Sequence, residues 1–170
     1  DYWIMISCVF GSLLMRGAGC TWNDISDQKF DAKVTRTKLR PIPAGQISTS
    51  VALLWMFIQT FTAFLILVTF NFFAIFIGLI AIFPVLIYPF AKRFTWWPQF
   101  FLGIAFNWGI LLSFAAHTET IEVSIIFLYV SAIFWTIFYD TVYAFQDKDD
   151  DALIGLKSTA LLFGRNSFKW

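Results

Sequence analysis

Charged residues are scarce in this chain of 170 residues, at 14% of the sequence, whereas hydrophobic residues make up 59% and aromatic residues 21%. A soluble domain of this length could not bury so much apolar surface, so a water-soluble globular protein is excluded. Several apolar runs are long enough to cross a bilayer, which takes roughly 20 helical residues. These runs are continuous rather than alternating, which argues against a transmembrane β-barrel. The composition therefore predicts an all-α, polytopic transmembrane helical bundle.

Cysteine is also scarce, with only Cys8 and Cys20 in the sequence. They lack metal-ligand spacing and lie within an apolar run, so we expect two small buried core residues. The single histidine, His117, is expected to be a plain loop residue. The chain lacks an initiator methionine and opens almost directly on apolar residues. We therefore expect an internal fragment, one membrane-embedded domain over residues 1–170 that is incomplete at both ends.

Basic residues are absent from two of the predicted loops. The predicted membrane helices, drawn from the apolar runs, cover about residues 2–22, 48–70, 72–90, 99–116 and 123–145. All 12 lysines and arginines lie in or at the edge of the loop after the first helix, the loop after the third, or the tail. By the positive-inside rule, these segments face the cytoplasm or the mitochondrial matrix. We therefore expect an integral protein of the bacterial or the mitochondrial inner membrane.

Acidic side chains are concentrated at the end of the first apolar segment, in the stretch RGAGCTWNDISDQKFD. Read as a helix, Asn23, Asp27 and Asp31 share one face, and Asp24 lies at its edge. Crowded carboxylates repel one another unless a cation lies between them, and oxygen ligands at this spacing suit Mg²⁺ shared with substrate phosphates. Arg16 lies on the same side within the apolar segment, where a charge is costly unless it is paired or functional. We predict a functional site here rather than a solvated helix end.

A second acidic cluster, QDKDDD, follows the last apolar segment and contains Asp147 and Asp151. With Asp140, these residues would form an acidic stripe along one helical face. An intramembrane carboxylate is a functional candidate by default, and an ion pair between Asp140 and Arg16 is the structural alternative. Two acidic clusters on one membrane side predict two metal ions that hold a diphosphate attached to a long hydrocarbon. Nearby basic residues could complete the clamp on this diphosphate: Lys29, Lys33, Arg36, Arg40 and Lys157.

Together, these motifs resemble those of the UbiA superfamily of intramembrane prenyltransferases. NDISDQKFD is similar to the N-D-x-x-D-x-x-x-D motif of that superfamily, DKDDD to its D-x-x-x-D motif, and YPFAK (residues 88–92) to its Y-x-x-x-K element. TRTKLRPIPAG and GLKSTALLFG fit as well, so the resemblance runs across nearly the whole chain. It implies a nine-helix fold around a central cavity, of which this chain would hold the second to sixth helices.

The resemblance also implies the reaction, which is transfer of a polyprenyl group from a polyprenyl diphosphate to a small aromatic acid. The expected acceptor is 4-hydroxybenzoate, in ubiquinone biosynthesis. The implied Mg²⁺ ligands are Asn23, Asp24, Asp27, Asp31, Asp147 and Asp151. Lys92, with Arg93 or Arg16, would hold the carboxylate of the acceptor. The implied catalytic residues are Asp140, Tyr88 and Arg16, although on composition alone Tyr88 and Lys92 would be ordinary interface anchors.

Other functions stay open at this point. The acceptor could instead be homogentisate, a naphthoate, a porphyrin or a chlorophyllide, because YPFAKR is only one element. A carboxylate-lined membrane cation transporter would need acids near mid-membrane in several helices, whereas apart from Asp140 the acids of the two clusters gather at one face. The chain has no D-G-x-x-A-R run, which excludes a CDP-alcohol phosphatidyltransferase. The expected partners are the two substrates and the lipid bilayer, and no nucleic acid.

Overall fold

The computed structural model describes residues 1–164 and 166, which form helices, turns and loops without a β-strand among them. The α-helices of this described part are α1 Tyr2–Asp31, α2 Thr49–Leu67, α3 Phe72–Ile80, α4 Ile82–Phe94, α5 Pro98–Phe106, α6 Trp108–Thr118, α7 Val123–Ala144, α8 Lys148–Leu153 and α9 Thr159–Phe163. They make five segments that are long and apolar enough to cross a membrane, namely Tyr2–Asp31, Thr49–Leu67, Phe72–Phe94, Pro98–Thr118 and Val123–Leu153. The prediction of an all-α bundle with five membrane helices is confirmed.

The first helix is longer than predicted. It continues past Trp22 through the whole first acidic motif and ends at Asp31. Residues 23–31 contain neither proline nor glycine, so nothing in this stretch breaks the helix even though its hydropathy falls. The first acidic motif is therefore part of a continuous helix that begins at membrane depth.

Two of the spans are interrupted. Ala81 separates α3 from α4 shortly before Pro84, whose ring removes a backbone donor. Asn107 separates α5 from α6, and its side-chain amide donates to the Gly103 carbonyl (2.9 Å) and to the Thr136 hydroxyl (2.8 Å). These hydrogen bonds satisfy the side-chain amide of Asn107, which would otherwise lie unpaired inside an apolar bundle.

Small residues fill the contacts between the helices. Ala74, Ala91 and Ala115 are fully buried, whereas Phe127 and Phe134 are 70% and 67% exposed. Lipid accepts large apolar side chains, so in a membrane bundle the small residues line the interfaces and let the helices approach closely. Through such interfaces α1 packs against α2, α4 and α6, and α5 packs against both α4 and α7.

The prediction that both cysteines are buried is wrong. Cys8 is half-buried and Cys20 is exposed. His117 also differs from its prediction, because it lies in the last turn of α6 rather than in a loop.

We expect Gly103→Val to destabilise the protein, because α5 approaches α7 closely at this residue. A Cβ on Gly103 would lie 3.0 Å from Cγ2 of Ile133 and 3.2 Å from its backbone oxygen. Overpacking of this kind costs about 1–3 kcal/mol in free energy of unfolding. Thermal unfolding of the full-length protein in detergent, followed by circular dichroism, measures the effect. Gly109→Val is the matched control, since a Cβ at Gly109 meets nothing within 4 Å, and equal losses in both variants would contradict the expectation.

Candidate active site

The two acidic motifs lie close to the same loop, residues 32–48. From this loop the Thr35 backbone N–H donates to Asp150 Oδ2 (3.1 Å). Arg36 Nε donates to Asp147 Oδ1 (2.8 Å) and Oδ2 (3.0 Å), and Arg36 Nη2 also donates to Asp147. The same loop is held to the first motif by the Thr37 hydroxyl, which donates to the Asp31 carbonyl (3.0 Å). The loop thus bridges the two motifs, which face each other as the sequence predicts.

A polar cavity of about 170 Å³ lies between the two motifs. At roughly 30 Å³ per water molecule, it has room for a small polar group but not for a long hydrocarbon. Seven of the predicted site residues line it, namely Asn23, Asp31, Arg36, Arg40, Lys92, Asp147 and Asp151. The cavity therefore brings together both acidic motifs, the basic loop and the lysine of the YPFAK element.

The carboxylates of the first motif are paired with basic side chains. Asp27 is fully buried, with Lys92 Nζ 2.6 Å from its Oδ2 and Arg93 Nη2 3.4 Å from its Oδ1. Arg40 Nη1 lies 2.8 Å from Asp24 Oδ1 and 3.0 Å from Asp31 Oδ2. Because a buried carboxylate is costly without a partner, these pairs explain how three aspartates can share one helix end.

The second motif lies where the helix changes type, and the predicted acidic stripe, which assumed one regular α-helix, stays a prediction. Helix α7 ends at Ala144, and Asp147 lies in a 3-10 turn, Phe145–Asp147, before α8 begins. From this turn Asp147 pairs with Arg36. The hydrogen bonds to Asp147 raise the pKa of Arg36 above its ordinary value, so the guanidinium is charged at any physiological pH.

The residues around the cavity suit Mg²⁺ only if a substrate supplies further ligands. Among the described residues, no three Asp, Glu, His or Cys side chains converge closely enough to hold a metal ion alone. Mg²⁺ does not need such a cage, because it is commonly bound by one or two carboxylates together with waters and substrate phosphates. Asp31 and Asp151 reach the cavity from opposite motifs, and the side chain of Asn23 lines it as well. This set of oxygen donors is the chemistry that a hard divalent cation prefers.

Three further predicted residues lie beside the cavity and do not line it. The Tyr88 hydroxyl lies 3.4 Å from the Gly19 carbonyl, to which it donates. Arg93 Nη2 donates to the Ser26 carbonyl (2.6 Å), so this guanidinium is turned towards α1. Lys157 Nζ donates to the carbonyl of Phe94 (3.2 Å).

The remaining predicted residues, Arg16, Lys33 and Asp140, do not line the cavity. Arg16 and Lys33 are exposed, and no acid among the described residues forms an ion pair with either. The structural alternative, an ion pair between Arg16 and Asp140, is therefore not formed. Asp140 is half-buried and lies near the side chain of Gln99.

Sequence reasoning missed two polar residues that hold the site together. Tyr143 accepts a hydrogen bond from Arg36 Nη1 at 3.0 Å, and its spacing of three and four residues from Asp140 and Asp147 could have indicated it. Gln99 is 4% exposed, and its Oε1 accepts from the Thr159 backbone N–H (3.1 Å). The signal for Gln99 was an amide within an apolar segment, which also contains Asn107.

Comparisons with known proteins agree with this geometry. The chain matches the UbiA prenyltransferase family over residues 1–170. It is 49% identical over 170 residues to "4-hydroxybenzoate polyprenyltransferase, mitochondrial" of Mus musculus, covering 99% of this chain and 46% of that protein. It is 54% identical over 156 residues to "UbiA prenyltransferase claS" of Ampulloclitocybe clavipes, covering 91% of this chain and 50% of that protein. The chain thus spans about half the length of the curated relatives that it matches.

Solved structures show the same fold. A UbiA homologue from Aeropyrum pernix K1 superposes with a TM-score of 0.86 at 24% identity, covering 99% of this chain and 65% of that chain. A UbiA homologue from Archaeoglobus fulgidus, bound to GPP and Mg²⁺, gives 0.74 at 20% identity, covering 96% and 60%. The resemblance predicted from the motifs is confirmed, and the chain belongs to the UbiA prenyltransferase family.

Proposed function

We propose that the protein transfers a polyprenyl group from a polyprenyl diphosphate to 4-hydroxybenzoate, in ubiquinone biosynthesis. The observation that carries this proposal is the cavity in which both acidic motifs meet Arg36, Arg40 and Lys92. Relatives that are 48–49% identical and named 4-hydroxybenzoate polyprenyltransferase support the reaction. Their names also contain "mitochondrial", which favours the mitochondrial inner membrane, with the cavity facing the matrix.

In this proposal the cavity holds the diphosphate of the donor. Asn23, Asp27 and Asp31 would bind one Mg²⁺, with Asp24 assisting, and Asp147 and Asp151 would bind a second. When bound, Mg²⁺ neutralises the negative charge that develops on the diphosphate as it leaves. Arg36 and Arg40, which hold these carboxylates in the structure, would then donate to diphosphate oxygens. Lys33 and Lys157 would contribute positive charge from the rim of the site.

The acceptor would be held by Lys92, the one basic residue of the YPFAK element that lines the cavity. Arg93 is turned towards α1. Its main role in this proposal is therefore to stabilise Asp27 rather than to bind the acceptor. Arg16 is exposed on α1 and available to a substrate carboxylate or phosphate. Tyr88 would hydrogen-bond the acceptor or the diphosphate, and Asp140 would orient the acceptor or accept its proton.

Another aromatic acceptor stays possible, because Lys92 would bind the carboxylate of homogentisate or a naphthoate as readily. A cation transporter finds no support. The cavity carboxylates lie at one end of the bundle, and the described residues show no group of acids converging to bind an ion along the spans.

We expect the full-length protein in membranes to prenylate labelled 4-hydroxybenzoate when it is given a polyprenyl diphosphate and Mg²⁺. EDTA should abolish product formation, and Asp31→Asn and Asp147→Asn should each lower kcat about 100-fold or more, because charge stabilisation by a metal contributes several kcal/mol. Asp149→Asn is the matched control, since Asp149 lies in the same acidic cluster but is exposed and does not line the cavity. Product that persists in EDTA would contradict the metal site, and no product with any aromatic acceptor would overturn the function.

We expect Lys92→Gln to raise the KM for 4-hydroxybenzoate roughly tenfold or more, because a hydrogen bond to a charged group is lost. The KM for the neutral analogue 4-hydroxybenzamide should change little, so the preference for the acid over the amide should shrink. Steady-state kinetics with both acceptors measure this preference. Lys38→Gln, in the loop after α1 and exposed, serves as the charge-matched control. An unchanged preference in Lys92→Gln would remove Lys92 from the acceptor site.

A further inference from the structure

One tyrosine outside the predicted site holds a cavity residue from a second side. The Arg36 guanidinium shares its donors between two partners. Nε and Nη2 bind the carboxylate of Asp147, and Nη1 donates to the Tyr143 hydroxyl at 3.0 Å. The guanidinium carbon also lies 5.2 Å from the centroid of the Tyr143 ring. Tyr143 thus binds Arg36 through both its hydroxyl and its π-face.

The loop that carries Arg36 depends on such contacts for its position. Residues 32–48 contain turns but no α-helix, so the backbone alone does not fix where Arg36 points. Tyr143 lies in the last turn of α7 and is stacked on Tyr139, with ring centroids 6.5 Å apart and planes inclined by 21°. A ring carried by a membrane helix gives the loop a partner outside the loop itself.

The two partners of Arg36 differ in what else they can do. The carboxylate of Asp147 is a metal ligand in the proposed function, and a carboxylate bound to a cation attracts a guanidinium less. The Tyr143 hydroxyl is neutral and stays available to Arg36 whether or not Asp147 is engaged. Tyr143 would therefore keep Arg36 at the edge of the cavity while the Nε and Nη2 donors of Arg36 turn to the diphosphate.

We propose that Tyr143 is a positioning residue for the donor diphosphate, which acts by holding the Arg36 guanidinium at the cavity edge. This inference rests on the proposed function, because that function makes Arg36 a ligand of the diphosphate. Tyr143 itself lines no part of the cavity. Its effect should therefore appear in the binding of the donor and not in that of the aromatic acceptor.

Tyr143→Phe tests the hydroxyl, since it keeps the ring. We expect the KM for polyprenyl diphosphate to rise roughly fivefold to tenfold, as loss of a hydrogen bond to a charged group predicts, while kcat at saturating donor and the KM for the acceptor stay the same. Tyr139→Phe is the matched control, because its ring stacks on Tyr143 but its hydroxyl makes no hydrogen bond with the described residues. Equal effects of the two variants, or a loss confined to kcat, would overturn the proposal.

A double-mutant cycle tests whether Tyr143 acts through Arg36. If it does, Tyr143→Phe should add little to the rise in donor KM that Arg36→Lys causes alone, whereas independent residues would give multiplied effects. Titration of the full-length protein with inorganic pyrophosphate and Mg²⁺ gives a readout without turnover, and its affinity should fall by the same factor as the donor KM rises. An unchanged pyrophosphate affinity in Tyr143→Phe would contradict the proposal. An inactive wild type whose pyrophosphate affinity still depends on Tyr143 would instead count against the proposed function.

Discussion

The buried charge of Asp27 is the constraint around which this end of the bundle is built. Asp27 lies on α1 with no exposed surface, and a carboxylate in such a place must be matched by positive charge. Lys92 and Arg93 of α4 supply that charge. Their pairing fixes how the end of α4 lies against α1, and it places Lys92 at the edge of the cavity. The other ion pairs extend this arrangement, because Arg40 folds the loop onto α1 and Arg36 ties it to the turn after α7.

The membrane helices could be predicted from the sequence because lipid imposes a simple requirement of length and apolarity. Their exact course could not, since Asn107 and Ala81 interrupt spans whose hydropathy is continuous. The candidate site, too, was predictable in its residue types but not in its detailed geometry. Residue types and spacing indicated the acidic motifs and their basic partners, whereas the choice of partner for each aspartate depends on the path of residues 32–48. Tyr143 and Gln99 were missed as site residues because each acts on another residue, and neither spacing nor polarity in their own segments shows which partner they hold.

The segment after the second acidic motif forms hydrogen bonds with helices that are far apart in the sequence. The Lys157 backbone N–H donates to the Lys92 carbonyl at 2.9 Å, and the Thr159 backbone N–H donates to Gln99. Thr159 is fully buried, and its hydroxyl lies 2.5 Å from that of Thr141 on α7. These bonds link α4, α5 and α7 just beside the cavity. The lysine of the YPFAK element and the second motif therefore keep one relative position.

Because alanines are buried and phenylalanines are exposed, the small residues of this protein should tolerate substitution less well than the large ones. In a water-soluble protein, the large core residues are the sensitive ones and surface changes are mostly neutral. Here Phe127 and Phe134 are 70% and 67% exposed, so exchanging either for another apolar residue disturbs little packing among the described residues. Ala74, Ala91 and Ala115 leave no such freedom, since one added methylene would push two helices apart. Inherited or engineered variants that enlarge an alanine are thus the ones to suspect first, even when the substitution looks mild by hydrophobicity.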